Sequence, residues 1–212
     1  MTKPNFKTVK EYVYNRLENE LSSDLYYHGL HHTKKVVEDA EMLGKMEYIS
    51  NEDFLLLRTA ALYHDIGFTK QYVRNEGIGK EIVEKSLPKF GYSNNQIKRI
   101  GEIIMATQMQ MIDGKLKQVP NENDHLQKIM CDADLLYLGG DSVEFILTSQ
   151  SLREEMKEYG IHLNPEQWDL GQPSFLESHS YFTESAKNLR NEGKERNLKS
   201  SIELAEILNS LD

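Results

Sequence analysis

Residues 54–67, FLLLRTAALYHDIG, constrain the fold more than any other part of the chain. Apolar side chains fall on nearly every face of this segment, so a helix here must be covered on most sides by other elements. Ser50, with Asp53 three residues later, gives a capping signal in front of it, and Gly67 stops it. Such a helix belongs at the centre of a bundle. Its polar end is the anomaly: His64 and Asp65 follow directly on the apolar run, where a carboxylate must find a partner or change its protonation state. A metal ion supplies that partner.

The rest of the chain repeats the helical period. Phe6, Val9, Val13, Leu17 and Leu21 form one stripe, and Val36, Val37, Ala40 and Leu43 face inward on a second helix from Leu30 to Met46. Further helices are predicted over 76–90, 94–111, 121–138, 140–158, 174–191 and 195–211, punctuated by Gly91, Gly114, Gly139-Gly140, Pro165 and Pro173. The stretch 163–173 reads as a long loop. No segment alternates with period two for a convincing length, and neither an internal repeat nor a low-complexity tract is present. The expectation is an all-α helical bundle in one domain over 1–212, with a core at 25–140 and a C-terminal helical extension at 141–212 packed on it.

Composition sets the class of partner. A formal net charge of −9 penalises a long polyanion such as nucleic acid, but a metal and a few cations can still admit a small phosphorylated molecule. No apolar run approaches the roughly 20 residues of a membrane span. The amphipathic, charged N-terminus does not read as a secretory leader, and the lone Cys131 fits a reducing compartment, so a cytoplasmic location is expected without membrane partners. Homo-oligomerisation is compatible with this composition.

Four of the seven histidines lie in two short stretches, YHGLHHT at 27–33 and LYHDIG at 62–67. His28 and His32 are four apart and share a face wherever the chain is helical, while His31 turns roughly 100° away from His32. A third piece, CDADLL at 131–136, offers Asp132 and Asp134.

These pieces resemble the HD-domain metal-dependent phosphohydrolases, through HTKKV at 32–36, ALYHDIG at 61–67 and DADL at 132–135. The resemblance implies a bundle of helices around a divalent ion held by His32, His64, Asp65 and Asp134, with Asp134 favoured over Asp132. Two aspartates roughly neutralise such an ion, leaving positions for a water and a phosphoryl oxygen, and Asp65 could steer a proton. The wider superfamily includes cyclic nucleotide phosphodiesterases, whose similar Tyr-His pair implies that His28 donates a proton to the leaving group; imidazole titrates in the right range. Manganese, iron, nickel, cobalt and zinc suit the mixed donors, and magnesium would carry more water.

Departures from the family narrow the reading. Only His125 lies between the His-Asp pair and the last aspartates, so a single ion is expected instead of a dinuclear site. Asn75-Glu76 stands where many relatives carry His-Glu, with Glu76 retaining a place near the ligands. Phe68 and Thr69 stand where relatives acting on alarmones or deoxynucleoside monophosphates carry an acid. Lys35 and Lys70 read as solvated, His179 as packed beside Tyr181, His162 as a loop residue, Met105, Met109 and Met111 as core, and Trp168 with Phe175 as an anchor for the C-terminal segment. The expected activity is hydrolysis of a small, nucleotide-like phosphomonoester or phosphodiester by a metal-activated water. The alternative is a metal-stabilised nucleotide-binding or regulatory module without turnover.

Overall fold

Helix α1 (Phe6–Glu20) buries Val9, Val13 and Leu17, the four-residue stripe of the sequence, and starts where the Asn5 side chain accepts the Thr8 N–H. The computed structural model describes residues 3–211, and α1 leads into α2 (Leu30–Met46) and α3 (Asn51–Tyr63). In α3 Leu57, Ala60, Ala61, Leu62 and Tyr63 are completely enclosed. Ser50 caps it as the spacing predicts, accepting the Asp53 N–H at 3.1 Å.

Helices α4 (Asn75–Ser86), α5 (Asn94–Met105) and α6 (His125–Asp134) complete the wrapping. Their inward residues, among them Val83, Ile100, Ile103, Ile104 and Ile129, join one apolar core with α1, α2 and α3. Each such side chain contributes about 1.5–3 kcal/mol on burial. Helices α7 (Ser142–Glu158), α8 (Pro165–Ser178) and α9 (Glu184–Asn209) lie beyond a 3-10 turn at Leu136–Gly139. A smaller cluster of Leu135, Leu138, Phe145 and Leu176 joins them to that turn. The fold is all-α, as expected.

Four local readings need correction. The helix predicted over 94–111 ends at Met105, and a two-stranded antiparallel hairpin follows, β1 (Met109–Ile112) and β2 (Lys115–Gln118). Its turn is Asp113-Gly114, both at positive φ, which is the backbone a two-residue hairpin turn demands. Met111 sits on this hairpin and is exposed, so it is not core.

The stretch 163–173 is not a loop. Pro165 occupies the first turn of α8, where the missing N–H costs nothing, and Asn164 and Gln167 cap one another reciprocally. Nor does the chain break between 191 and 195: α9 runs through Gly193. A Cβ there would come within 2.1 Å of the Gly139 carbonyl oxygen, so this glycine permits close passage of the helix over the 3-10 turn.

Candidate metal centre

Three chain segments deliver four donor side chains to one point. His32 comes from the first turn of α2, His64 and Asp65 from the end of α3, and Asp134 from the last residue of α6. One ligand atom each from His32, His64 and Asp65 lies within 4.8 Å of the others. His32 Nε2 is 3.2 Å from Asp134 Oδ1, 3.3 Å from His64 Nε2 and 3.4 Å from Asp65 Oδ2. His64 Nε2 is 2.9 Å from Asp65 Oδ2 and 3.4 Å from Asp134 Oδ1.

Tautomer decides what this crowding means. With His64 Nδ1–H donating to the Ala61 carbonyl at 2.8 Å, the Nε2 lone pair faces the cluster. Asp65 Oδ2 is buried and lacks a hydrogen bond of acceptable direction, although it is close to His64 Nε2. Lone pairs that converge this way need a cation between them. Burial alone would disfavour a proton on His64, yet Asp65 and Asp134 outweigh it and draw the imidazole well above its ordinary value. Burial pushes the Asp134 carboxyl up, but His32 and His64 outweigh that and hold it well below the usual carboxylate range. A divalent ion answers the same demand as the proton. The donor set therefore fits one.

The two aspartates of α6 have separate partners. Asp132 accepts the N–H of Phe182 at 2.7 Å, the N–H of Thr183 at 2.8 Å and the Thr183 hydroxyl at 2.7 Å, tying α6 to the start of α9. Burial pushes its carboxyl up to about 6 in spite of those three donors. Asp134 faces the histidines, and its Oδ2 accepts from Gln118 Nε2 at 2.7 Å. Gln118, at the end of β2, is buried and also donates to the Thr107 carbonyl at 3.0 Å. Its amide leaves Asp134 Oδ1 alone turned to the cluster.

His28 precedes α2 and is not on its face, contrary to the helical projection. Its ring centroid is nonetheless 5.8 Å from that of His32. The reason is Glu155, from α7 and wholly buried, which accepts the N–H of Tyr27 at 2.8 Å, the N–H of His28 at 2.9 Å and pairs with His28 Nδ1. Burial depresses His28's affinity for a proton, but Glu155, Asp65 and Asp134 outweigh it and raise the group above its ordinary value. Phe68 stacks on the His28 ring at 4.3 Å, and Tyr72 stacks on Tyr159 at 3.9 Å close by.

The remaining candidates fall outside the cluster. His125 pairs with Glu47 at 3.1 Å, and His162 lies in the irregular stretch before α8. Lys35 is bound by both Asp39 oxygens, and Lys70 reaches Glu20 at 3.4 Å. His179 packs edge-on to Tyr181 at 4.7 Å. Trp168 donates to the Ser149 hydroxyl at 2.8 Å, anchoring α8 on α7. Cys131 is buried. Burial pushes the Glu76 carboxyl up, and the charges of Asp65 and Asp134 add to the shift.

A helical bundle brings His32, His64 and Asp65 together at one buried point with Asp134 beside them, a donor set that fits a divalent ion. The family model described as the HD domain matches residues 29–138, just over half the chain, and the chain belongs to that family. The family is one of metal-dependent phosphohydrolases. In fold, the chain is similar to a predicted HD superfamily hydrolase from an uncultured Thermotogales bacterium: TM-score 0.59, 18% identity, covering 98% of this chain and 92% of that one. No curated protein matches. Among the described residues, no helix is long and apolar enough to cross a membrane.

Glu155 and Gln118 are the site-facing residues that periodicity and motif do not reveal. Glu155 sits in the charged run REEMKEYG, where nothing local separates it from its solvated neighbours, and Gln118 lies on a hairpin whose only signal was Asp113-Gly114.

Proposed function

We propose that this chain is a hydrolase that cleaves a small phosphomonoester or phosphodiester, with one divalent ion held by His32, His64, Asp65 and Asp134. The observation that carries the reading is the buried, unbonded Asp65 oxygen set against imidazole lone pairs. When bound, such an ion polarises a phosphoryl oxygen and lowers the pKa of a water. Mixed nitrogen and oxygen donors suit manganese, iron, nickel, cobalt or zinc, and magnesium with more water.

The chain's own contribution is orientation and proton supply. Glu155 fixes the His28 ring through Nδ1, so Nε2 is the free edge, and its carboxylate raises the proton affinity of that ring against the effect of burial. That supports His28 as the acid that protonates the departing oxygen. Asp65 holds an oxygen at the cluster and can steer a proton there. The partner is a small phosphorylated molecule, nucleotide-like in the simplest case. The alternative, a nucleotide-binding module without turnover, lacks a need for an oriented acid.

The test is a panel of chromogenic and natural phosphate esters with manganese, nickel or magnesium, alongside metal analysis of the purified chain. Turnover in the wild type, and a loss of at least about 10³-fold in Asp65→Ala together with loss of bound metal, is expected. No turnover by any metal-loaded sample, with tight nucleotide binding, would favour the alternative.

A further inference from the structure

A cavity of about 300 Å³ opens between α2 and α7 and reaches the metal centre through His32 and Asp134. Its volume is at the small end of ligand sites. Its charge is unusual for a phosphate pocket. Lys35 lines it, but that ammonium is already taken by both oxygens of the buried Asp39, each at 2.6 Å. Glu144 lines the far side, and its carboxylate is in no ion pair among the described residues. It stands in the first turn of α7.

Beyond His32 and Asp134 at the metal end, the other polar groups are His31, two tyrosines and two hydroxyls. Thr148 and Ser151 line the α7 wall, and the Ser151 hydroxyl gives its hydrogen to the Leu147 carbonyl at 2.9 Å, leaving lone pairs for a donor from a ligand. Val36 and Leu147 make the apolar part of the lining. Hydroxyls and amines of a sugar or base suit such walls. A second phosphate or carboxylate does not, because Lys35 and Asp39 neutralise each other and it would meet the carboxylate of Glu144.

We infer that this cavity admits phosphate esters whose body carries no second anionic group, and that Glu144 is the residue that selects against one. The inference rests on the phosphohydrolase reading and adds to it a substrate class: one phosphoryl group at the metal end, and a neutral or cationic polyhydroxyl or heterocyclic body between α2 and α7. Bisphosphates and polyphosphates are disfavoured by charge.

The experiment compares matched monophosphates and bisphosphates, one pair built on a hexose and one on a ribonucleoside, with the manganese-loaded full chain. Turnover is read as kcat/KM, and binding is read by calorimetry on the manganese-loaded His28→Ala variant. The monophosphate of each pair should be preferred by about tenfold or more in both readouts, as for one like-charge contact at short range. Glu144→Lys should reverse or erase that preference, and Glu144→Gln should narrow it. Equal handling of both members by the wild type, or an unchanged ratio in Glu144→Lys, would overturn the inference while leaving the hydrolase reading intact. Failure to turn over or bind either member of either pair would overturn the inference, and the hydrolase reading falls with it only when the wider ester panel also shows no turnover.

Discussion

The two sides of the site are built in different ways. The ligand side comes from α2, the end of α3 and α6, all within the 29–138 match, and each ligand sits at a helix terminus where backbone packing sets its direction. The His28 side depends on one residue from far along the chain: Glu155, 127 positions from His28, accepts the N–H of Tyr27 and of His28 and pairs with the ring. On the proposed reading, metal holding belongs to the family core and the aim of the acid to the C-terminal helices.

Separating the two is the strongest way to test that difference. Glu155→Gln keeps the shape of the buried side chain but removes the charge that orients and protonates His28. It should lower turnover about 10²-fold while bound metal is unchanged. The raised His28 group implies a limb of the pH profile on which activity falls as pH rises through its folded value, above 6.5. In Glu155→Gln that limb should move to lower pH, and a pH–rate profile measures the displacement. Loss of metal in this variant would show that the two sides are one unit.

A smaller effect is expected within the ligand side. Gln118→Met fills the same space without donating to Asp134 Oδ2 or the Thr107 carbonyl. Metal affinity should fall by about 10- to 100-fold, read by competition with a chelator, because the carboxylate is no longer held with Oδ1 alone toward the cluster.

The smallest effect concerns a histidine that marks the contrast with His28. His179 is enclosed without a carboxylate; both its ring nitrogens lack partners, and burial, with Lys194 nearby, lowers it to about 3. The unfolded chain then binds the proton more readily. Stability is complete above the unfolded value of 6.5 and is lost as pH falls toward 3, by about 2 kcal/mol at pH 5. Denaturant titration of His179→Phe at pH 7 and pH 5 should show that component gone.

Much of this molecule could be read from its residues because its main constraints are local. The apolar wrap of 54–63, the stripe of α1 and the His-Asp pair all follow from neighbouring positions, and they gave the bundle and the point where a metal belongs. Asp132 and Asp134 could not be separated by spacing alone. Both lie on one short helix, and it is the arrival of Phe182 and Thr183 at Asp132 and of His32, His64 and Gln118 at Asp134 that tells them apart. Glu155 was invisible for the same reason, since its burial depends on chain 127 positions away. The hairpin and α8 were misread where a local signal carried two meanings. Asp-Gly marks a helix end as well as a tight turn, and Pro165 breaks a helix unless it begins one.

The central claim is that one ion is held by His32, His64, Asp65 and Asp134, with Asp132 serving only to fasten α6 to α9. Metal stoichiometry of the wild type, Asp134→Asn and Asp132→Asn, by manganese titration with elemental analysis, tests it most directly. The account predicts one ion per chain in the wild type, none in Asp134→Asn, and one in a less stable Asp132→Asn. An ion retained by Asp134→Asn and lost from Asp132→Asn would contradict it.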